Sequence, residues 1–511
     1  MALAAAAAAA AAPAIVPIAP EPPQELLVVD PRSCPPAWLP TLACLQGMLA
    51  RQGSTRQLFL SAPSGGQALW LEELVRTHGI RLALGEDPER ILRELGSHTA
   101  GYIRCDVGDP SSVDSAFMLG ILDNALVVDR RNEAAARAAG LACVADSADA
   151  ATPRRLAENR PSFNSAALLE QSGRLNWELR DYQVMARLAT SQAAETEEMA
   201  AVIESQQDRP IFGWGNAAHG ENRFIRRNSE QGLFTLASDH ATNLSVLSAF
   251  RQTGSSRGPG EKPVAPVAER HLHLVTFVLT DGDNVGWVLG SFASNARWFG
   301  SPARGHIPMG YGLPPILSDL APDALAWFHR QAEADEGNDD FVAGPSGTGY
   351  FFPSRYPPAA LRRDVDRLDS LMQRADLHLA QVLDEHSLDR TDLWSAYLRE
   401  PQIDGLIYLE YAPYNGGRGR IVWAAGKPVV SARLILWQGV QGGDPAEVEQ
   451  RIATAPRDLD FASGYTLVSV HAWTHTPADV AALIRRLPPG VRAVTPGIFF
   501  ATLRSHLHPP P

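Results

Sequence analysis

Two carboxylates and an amide follow an apolar run in the second half of the chain. Residues 273–279 are mostly apolar and lead through Thr280 into Asp281, Asp283 and Asn284. Carboxylates at the end of a buried strand can serve as general acid and base, as metal ligands, or as acceptors for sugar hydroxyls. The alternative is an Asx turn, in which Asp or Asn caps the next helix. We predict that Asp281 and Asp283 are catalytic and that Asn284 binds substrate.

A third carboxylate, Glu410, ends a similar run at residues 403–409 and is followed by Tyr411. A carboxylate beside an aromatic ring after a buried strand is typical of a glycosidase acid or nucleophile. An exposed glutamate on the rim of the fold is the alternative. We predict that Asp283 and Glu410 form the acid/base or nucleophile pair. Asp281 then tunes their protonation, and Tyr411 contacts the substrate.

Residues 465–470 form another apolar run, and His471 and Trp473 follow it. Histidine can donate or accept protons, and tryptophan offers a flat apolar face to a sugar ring. A strand end does not place His471 and His475 on one face as a helix would, so a metal-binding pair is not favoured. We predict that His471 and Trp473 line the sugar site, with a purely structural histidine as the alternative.

Asp239 and Arg433 also follow apolar runs, and we predict substrate-binding roles for both. An arginine at such a position can steer a carboxylate or keep an acidic neighbour ionised. A structural ion pair would explain Arg433 equally well.

A glycine- and aromatic-rich stretch, Gly347-Thr348-Gly349-Tyr350-Phe351-Phe352-Pro353, follows the apolar run around Phe341. Its glycines allow the backbone to approach a ligand closely. The spacing is not that of a dinucleotide loop, and no lysine is present for a phosphate loop. A surface turn whose rings enter the core is the alternative. We predict that Tyr350 binds substrate.

This heptapeptide resembles the signature of the family named for its GxGYxYP motif, which is described as "putative glycoside hydrolases". Phe352 stands where the motif has its second tyrosine, so one hydroxyl group is absent. The stretches Asp281-Gly282-Asp283-Asn284 and Asn243-Leu244-Ser245-Val246 are also similar to the family's pattern. The resemblance covers most of the chain after Pro23. It implies a glycoside hydrolase that acts on a poly- or oligosaccharide by carboxylate acid/base catalysis.

The strand-like and helical segments that position these residues indicate an α/β protein of two main parts. Over 25–160, apolar runs, the first of them a predicted strand at 26–29, alternate with helical patterns, which predicts an N-terminal α/β domain with a parallel sheet covered on both faces. Residues 161–207 are rich in Ala, Glu and Gln, which predicts a helical connector. Over 208–511, strand-like runs alternate with helical segments at 322–333, 358–375, 445–455 and 477–487, each of which starts with proline. The strand-like runs lie near residues 211, 233, 274, 307, 341, 406, 429, 467 and 491. This pattern predicts a (β/α) barrel-like catalytic domain, with an open doubly wound sheet as the alternative. In a barrel, substrates bind where strands end and loops begin.

Residues 1–24 are rich in Ala and Pro, and we expect this leader to be disordered. The first basic residue is Arg32, so the leader lacks the basic n-region of a secretory signal. A secreted protein and a soluble intracellular protein both stay open. No later stretch of about 18 or more strongly apolar residues occurs, so we expect no transmembrane segment.

The 511 residues carry a net charge of -12, which argues against nucleic acid as a partner and is compatible with a neutral carbohydrate. We predict no cofactor. A metal-dependent carbohydrate deacetylase-type hydrolase is one alternative, with a divalent ion held by Asp281, Asp283 and His471. A non-catalytic glycan-binding protein is the other, in which the carboxylates only accept hydrogen bonds from hydroxyl groups.

Overall fold

A computed structural model describes residues 14–85, 87–171, 175–190, 209–215, 220–251, 264–334 and 338–508. Of the leader predicted to be disordered, residues 1–13 lie outside this part of the chain. The described remainder packs against the protein: Val16 and Ala19 are buried, and the Ile15 amide donates a 2.7 Å hydrogen bond to Asp319 Oδ2. Part of the predicted leader, including Val16 and Ala19, therefore belongs to the fold.

The N-terminal region holds two small parallel sheets, each of three strands. The strands are β1 (Glu25–Val29), β2 (Arg56–Leu60), β3 (Arg81–Leu84), β4 (Tyr102–Cys105), β5 (Leu126–Asp129) and β6 (Cys143–Asp146). The strand orders are β2-β1-β3 and β5-β4-β6. The helix Leu39–Arg51 is buried over almost its whole length and contacts both β2 and β5. Instead of the one sheet that the sequence predicts, two sheets share a helix that is apolar on every side.

Further helices cover these two sheets. They are Gly66–His78, Pro88–Leu95, Pro110–Asp123, Glu133–Ala138 and Thr152–Glu158. Asp87 and Asp109 each cap a helix that begins with proline, and each accepts a backbone hydrogen bond two residues further on. Such local start signals make these helices recognisable from sequence.

A third parallel sheet, of order β10-β9-β7-β8, follows along the chain. It comprises β7 (Asn164–Glu170), β8 (Leu188–Thr190), β9 (Pro210–Gly213) and β10 (Phe234–Leu236), with helices Arg180–Ala186, Glu221–Glu230 and Leu244–Leu247. The helical connector predicted over 161–207 is therefore partly strand in its described residues, and 191–207 lie outside them. Ala167, Leu168 and Leu169 are buried in the sheet, and this burial outweighs the helical propensity of Ala, Leu and Glu.

Asn243 ties the third sheet to the first. Its side chain is fully buried, accepts hydrogen bonds from the Leu60 amide (2.8 Å) and Gln46 Nε2 (2.7 Å), and donates to the Leu60 carbonyl (2.9 Å). The Asn243–Val246 stretch therefore serves packing between sheets.

The C-terminal region is built on a curled sheet of ten strands with helices packed against it. The strands are β11 (His273–Leu279), β12 (Met309–Leu313), β13 (Asp339–Ala343), β14 (Leu379–Asp384), β15 (Gly405–Glu410), β16 (Ile421–Ala424), β17 (Lys427–Ser431), β18 (Leu434–Leu436), β19 (Tyr465–Val470) and β20 (Val491–Ala493). Their order is β16-β17-β15-β14-β13-β12-β11-β19-β18, with β20 beside β11, and only β16 and β17 pair antiparallel.

One short stretch of chain connects the two sides of the curled sheet. Only Ala432 and Arg433 separate β17, which pairs with β15, from β18, which pairs with β19. The Ala432 amide donates to the Tyr408 carbonyl (3.1 Å), and the Arg433 amide donates to the Leu467 carbonyl (2.9 Å). The sheet must therefore curl strongly between these strands.

Most helices of this region begin with proline, as the sequence predicts. They are Val285–Trp287, which continues as a π-helix over Val288–Phe292, and Leu317–Leu320, Pro322–Ala334, Pro358–Ala375, Thr391–Leu398, Pro445–Ala453, Pro477–Ile484 and Pro496–His506. No described helix combines the length and apolar character needed to cross a membrane. The strand β14 is absent from the predicted elements, although it contributes directly to the site.

Candidate active site

A cavity of about 220 Å³ lies at the carboxyl ends of parallel strands from both the third sheet and the curled sheet. Its walls are formed by Trp214, Glu221, Ala237, Thr280, Asp281, Asp283, Asn284, Pro345, Tyr350, Gln381, Leu383, Leu409, Tyr414 and Trp473. Strand ends of parallel sheets are where ligands bind in α/β proteins. We call this space the acidic cavity because three of its residues carry carboxyl groups.

Asp283 is the least satisfied of the three carboxyl groups. No described side chain donates a hydrogen bond to it, and enclosure by protein atoms together with the charge of Asp281 raises its pKa well above the usual range. Its own backbone amide is its one described donor. A carboxyl group with a raised pKa that lines a cavity is a candidate acid.

Asp281 is held firmly in place. The Thr280 hydroxyl donates to its Oδ2, and Trp473 Nε1 donates to its Oδ1 at 2.9 Å. Its backbone has a φ of 65°, a left-handed conformation that Asp adopts more readily than most residues. The carboxylate and the partly exposed Trp473 ring thus form one fixed wall of the acidic cavity.

Asn284 caps a helix and lines the acidic cavity, and its contact with a substrate stays a prediction. Its Oδ1 accepts a 2.8 Å hydrogen bond from the Trp287 amide and caps the helix there, and the residue also lines the acidic cavity. The cap fixes where the helix Val285–Trp287 begins, directly after Asp283.

Three glycines at the ends of neighbouring strands pack against one another beneath these carboxylates. A Cβ atom on Gly282 would lie 2.2 Å from Gly312 Cα, and one on Gly344 would lie 2.5 Å from the Gly282 backbone. Contacts this short do not occur for real side chains, so only glycine fits. The contact brings the Asp281–Asp283 turn close to the ends of β12 and β13.

Glu221 enters the acidic cavity from the third-sheet region, at the start of the helix Glu221–Glu230. The Tyr350 hydroxyl donates a 3.0 Å hydrogen bond to its Oε1, and the Tyr350 ring stacks on Trp214 with centroids 6.2 Å apart. Although Glu221 is exposed as a residue, protein atoms around its carboxyl group and the charge of Asp281 raise its pKa, while the Tyr350 hydrogen bond lowers it. Asp281 and Glu221 each raise the pKa of Asp283, so the three groups form one electrostatic unit.

The Gly347–Pro353 loop is mainly a core element. Phe351 and Phe352 are fully buried, and the Tyr350 backbone pairs with Thr235 through 2.8 and 2.9 Å hydrogen bonds. Phe352 lies edge-on to the rings of Tyr350 and Tyr411. Tyr350 alone carries the loop's polar contact with the acidic cavity, whereas Phe352 packs behind it.

Glu410 lies outside the acidic cavity. Successive residues of a strand point to opposite faces, and here the preceding Leu409 lines the cavity. The Glu410 carboxylate instead accepts hydrogen bonds from the Tyr408 hydroxyl (2.9 Å) and the His386 amide (2.6 Å) and lies 3.0 Å from His386 Nδ1. Tyr411 packs on Phe352 behind the cavity wall. The structure therefore separates Glu410 from the Asp283 with which the sequence analysis paired it.

The remaining predicted residues do not line the acidic cavity. His471 stacks on Trp437 at 4.0 Å, and burial lowers its pKa while Asp281 raises it, so it stands beside the cavity. Arg433 donates to backbone carbonyls and lines a second cavity. The Asp239 carbonyl accepts a 2.8 Å hydrogen bond from Gln171.

Nine of the 14 wall residues were not among the predicted site residues, and Gln381, Glu221 and Tyr414 are among these nine. Gln381 lies inside β14, is 1% exposed, and its Oε1 has no described hydrogen-bond partner. A search restricted to strand ends cannot find a residue in the middle of a strand. Glu221 begins a polar helix, and Tyr414 follows a left-handed turn, so neither carries a strand-end signal.

Within the described residues, no group of three or more His, Cys, Asp or Glu side chains has the geometry of a metal site. The ion proposed for Asp281, Asp283 and His471 stays a prediction that requires rearrangement of these side chains.

Comparison with known proteins gives two matches to family models and one extensive structural match. Residues 271–504 match the "GxGYxYP putative glycoside hydrolase C-terminal domain", and residues 164–249 match the "GxGYxYP third domain". The fold is similar to the crystal structure of "a putative hydrolase from Bacteroides thetaiotaomicron", at a TM-score of 0.88 and 24% identity over 97% of this chain and 98% of that one. A 4-alpha-glucanotransferase from Thermococcus litoralis aligns over 44% of this chain and 38% of its own, at 12% identity and a TM-score of 0.28 that is too low to support an argument. No curated protein matches the sequence.

Proposed function

Because the chain belongs to the GxGYxYP family, whose C-terminal model is described as a "putative glycoside hydrolase", we propose that it hydrolyses a glycosidic bond in the acidic cavity. The observation that carries this proposal is Asp283, a carboxyl group in the cavity with no described side-chain donor, whose pKa is raised by burial and by Asp281. An acid that keeps its proton above the usual range can protonate a leaving oxygen. The similar fold of a protein described as a hydrolase agrees with this proposal.

Each carboxyl group has a separate role in the proposed reaction. Asp283 donates its proton to the glycosidic oxygen while the bond from that oxygen to the anomeric carbon breaks. Glu221 provides the second carboxylate, which attacks the anomeric carbon or takes a proton from the attacking water. In both cases the hydroxyl group of water ends on the anomeric carbon and its other proton on the enzyme or the leaving alcohol. Asp281 keeps Asp283 protonated through its negative charge.

Aromatic faces and one amide provide the sugar-binding surface. Trp214, Tyr414 and the partly exposed Trp473 line the acidic cavity, and flat rings of this kind suit the apolar face of a sugar. The unpartnered Gln381 Oε1 is an acceptor for a sugar hydroxyl, since leaving it unpaired costs about 1–3 kcal/mol.

The curled sheet supports a finer structural proposal. We infer that it closes as a (β/α) barrel through the β17–β18 stretch, since Ala432 and Arg433 bond to strands at its two ends. A closed barrel would surround the strand ends that line the acidic cavity.

Two series of glycosides test the proposed roles. After a panel of aryl glycosides has identified the accepted sugar, kcat/KM is measured for its 4-nitrophenyl and methyl glycosides. Asp283→Asn should lower kcat/KM by about 10²–10⁴-fold for the methyl glycoside and far less for the 4-nitrophenyl glycoside, because a good leaving group needs no proton. Glu221→Gln should lower both.

The matched control is Glu410→Gln, which changes a carboxylate outside the acidic cavity. We expect it to retain hydrolysis of both substrates. Equal losses in Asp283→Asn for both leaving groups would remove the acid role from Asp283. A larger loss in Glu410→Gln than in Glu221→Gln would restore the pair that the sequence suggested.

A further inference from the structure

A second cavity, of about 820 Å³, adjoins the loop of residues 411–420 on the side away from the acidic cavity. Tyr414 lines the acidic cavity, whereas its neighbours Pro413 and Asn415 line the second one. Consecutive residues lie about 3.8 Å apart, so at this loop only the thickness of one chain separates the two spaces. A ligand of more than one sugar unit could therefore contact both.

The two cavities differ in charge. Three carboxyl groups line the first, whereas three arginines, Arg418, Arg433 and Arg451, and one carboxylate, Glu447, line the second. Arg451 lies 3.5 Å from Glu447, so these two form an ion pair. Two guanidinium groups remain, in a chain whose overall charge is -12.

Arg433 has no described carboxylate partner. Its guanidinium donates to the backbone carbonyls of Tyr465 (3.1 Å), Gly419 (3.2 Å) and Ala462 (3.1 Å). These acceptors satisfy hydrogen-bond donors but do not neutralise the charge, and burial lowers the pKa of Arg433 with no opposing charge to raise it. A partly buried cation without a counter-ion is costly unless an anion joins it.

Arg418 is the second arginine of this cavity without a described carboxylate partner. It is exposed, lies within the loop of residues 411–420 with a φ of 55°, and has no described ion-pair partner. Guanidinium groups bind carboxylate and sulfate oxygens through paired N–H donors, which gives geometry as well as charge. An anion bound by Arg418 and Arg433 would offset one of the two positive charges that remain in the cavity.

We propose that the second cavity binds an oxyanion, a carboxylate or a sulfate, carried by an acidic oligosaccharide, with Arg418 and Arg433 as its cationic contacts. That the ligand is a sugar rests on the proposed function, the hydrolysis of glycosides. The charges then set the orientation: the carboxyl groups of the acidic cavity repel the anionic substituent, and the arginines attract it. The residue cleaved in the acidic cavity is correspondingly uncharged.

Calorimetric titration of the full-length protein with three probes of equal length tests this site. The probes are an oligogalacturonate, a sulfated dextran oligosaccharide and an unmodified dextran oligosaccharide. We expect at least one charged probe to bind about tenfold or more tightly than the neutral one, and its affinity to fall as salt is raised. The oligogalacturonate and sulfated arms decide which oxyanion is preferred.

Arg418→Gln is the main variant, since an exposed side chain can be changed without loss of the fold. It should weaken binding of the preferred charged probe about tenfold or more, while Arg362→Gln, which removes an exposed arginine from the helix Pro358–Ala375, leaves it unchanged. Arg433→Lys keeps the positive charge but loses the paired N–H donors of the guanidinium group. Once its Tm is shown to be unchanged, this variant should lose less affinity for the charged probe than Arg418→Gln. Equal binding of charged and neutral probes, no binding of any probe, or an unchanged affinity in Arg418→Gln would overturn the proposal.

The binding test is independent of turnover, so the two proposals can fail separately. Arg418-dependent binding of a charged probe by a protein that hydrolyses no glycoside would keep the oxyanion site and refute the hydrolase. Hydrolysis that depends on Asp283, with no preference for any charged probe, would keep the hydrolase and refute the oxyanion site.

Discussion

The ends of β11 and β15 look alike in sequence and differ in what their carboxylates do. Each strand is fully buried and each ends near acidic residues, Asp281 and Asp283 in one case and Glu410 in the other. The Asp283 carboxyl group lines the acidic cavity with only a backbone amide, its own, as donor, whereas Glu410 has a tyrosine hydroxyl and a backbone amide as donors. No described side chain holds the first carboxyl group, whereas a tyrosine and a backbone amide hold the second in the fold.

Two structural details produce this difference. The pleat of β15 turns Leu409 toward the acidic cavity and so turns Glu410 away from it. Beyond β11, the chain makes a tight turn at Gly282 against Gly312, and both flanking aspartates line the cavity. A carboxylate at a strand end is therefore only a candidate for the site, because the face of the sheet on which it lies decides whether it lines the cavity.

The largest expected effect comes from breaking the glycine contact under β11. In Gly282→Ala the new Cβ would lie 2.2 Å from Gly312 Cα, a backbone atom that cannot move aside. We expect a loss of stability on the order of 3 kcal/mol and loss of glycoside hydrolysis, measured by urea unfolding and by turnover. Gly290→Ala is the matched control, because a Cβ there meets no atom within 4 Å. A stable, active Gly282→Ala variant would show that the turn is not rigid.

A smaller expected effect is a change in folding stability that has opposite signs for variants of Asp283 and Glu410. Burial raises the pKa of Asp283 in the folded state, so its contribution to stability is present at low pH and is lost as pH rises from the unfolded value toward the folded one. Asp283→Asn should therefore raise stability at neutral pH by about 0.5–2 kcal/mol while lowering activity. Glu410→Gln should lower stability by about 1–3 kcal/mol, because its amide places a donor against existing donors.

Urea midpoints measured from pH 4 to pH 8 check this contrast. The gain in Asp283→Asn should grow with pH and then level off. A loss of stability in both variants at every pH would mean that Asp283 has a structural partner, and the distinction between the two strand ends would disappear.

The sequence predicts the strong, regular elements of this protein well. The helix predicted over 358–375 is Pro358–Ala375, and the strand predicted at 26–29 is Glu25–Val29, because helix-start signals and apolar runs are local properties. The family suggested by Gly347–Pro353 is confirmed by the matching models. Local signals thus identify the elements and the grouping.

The composition of the acidic cavity depends on non-local geometry. Glu221 arrives from the third-sheet region and Gln381 from the middle of a strand, and neither position is distinctive in sequence. Which face of β15 is turned inward depends on how the sheet curls, which no short segment encodes. For these reasons Asp281, Asp283 and Tyr350 could be predicted together, while Glu410 was paired with them although the structure places it elsewhere.

The smallest expected effect concerns the link between Glu221 and Tyr350. The Tyr350 hydroxyl lowers the pKa of Glu221, so Tyr350→Phe should raise it. If Glu221 must be ionised for the reaction, activity in the variant should begin to fall at a higher pH on the acidic side, with less than about a tenfold loss at the optimum. The basic side, set by Asp283, should stay in place.

The pH dependence of kcat/KM for the methyl glycoside measures both limbs, because its poor leaving group needs the proton of Asp283. Tyr465→Phe is the matched control, because it removes a buried hydroxyl that donates to the Leu459 carbonyl far from these carboxyl groups. If the acidic limb moves in Tyr350→Phe and not in Tyr465→Phe, that limb is set by Glu221, a carboxylate at the start of a helix and not at the end of a strand. Movement of the basic limb instead would assign Tyr350 to Asp283 and return both catalytic groups to the end of β11.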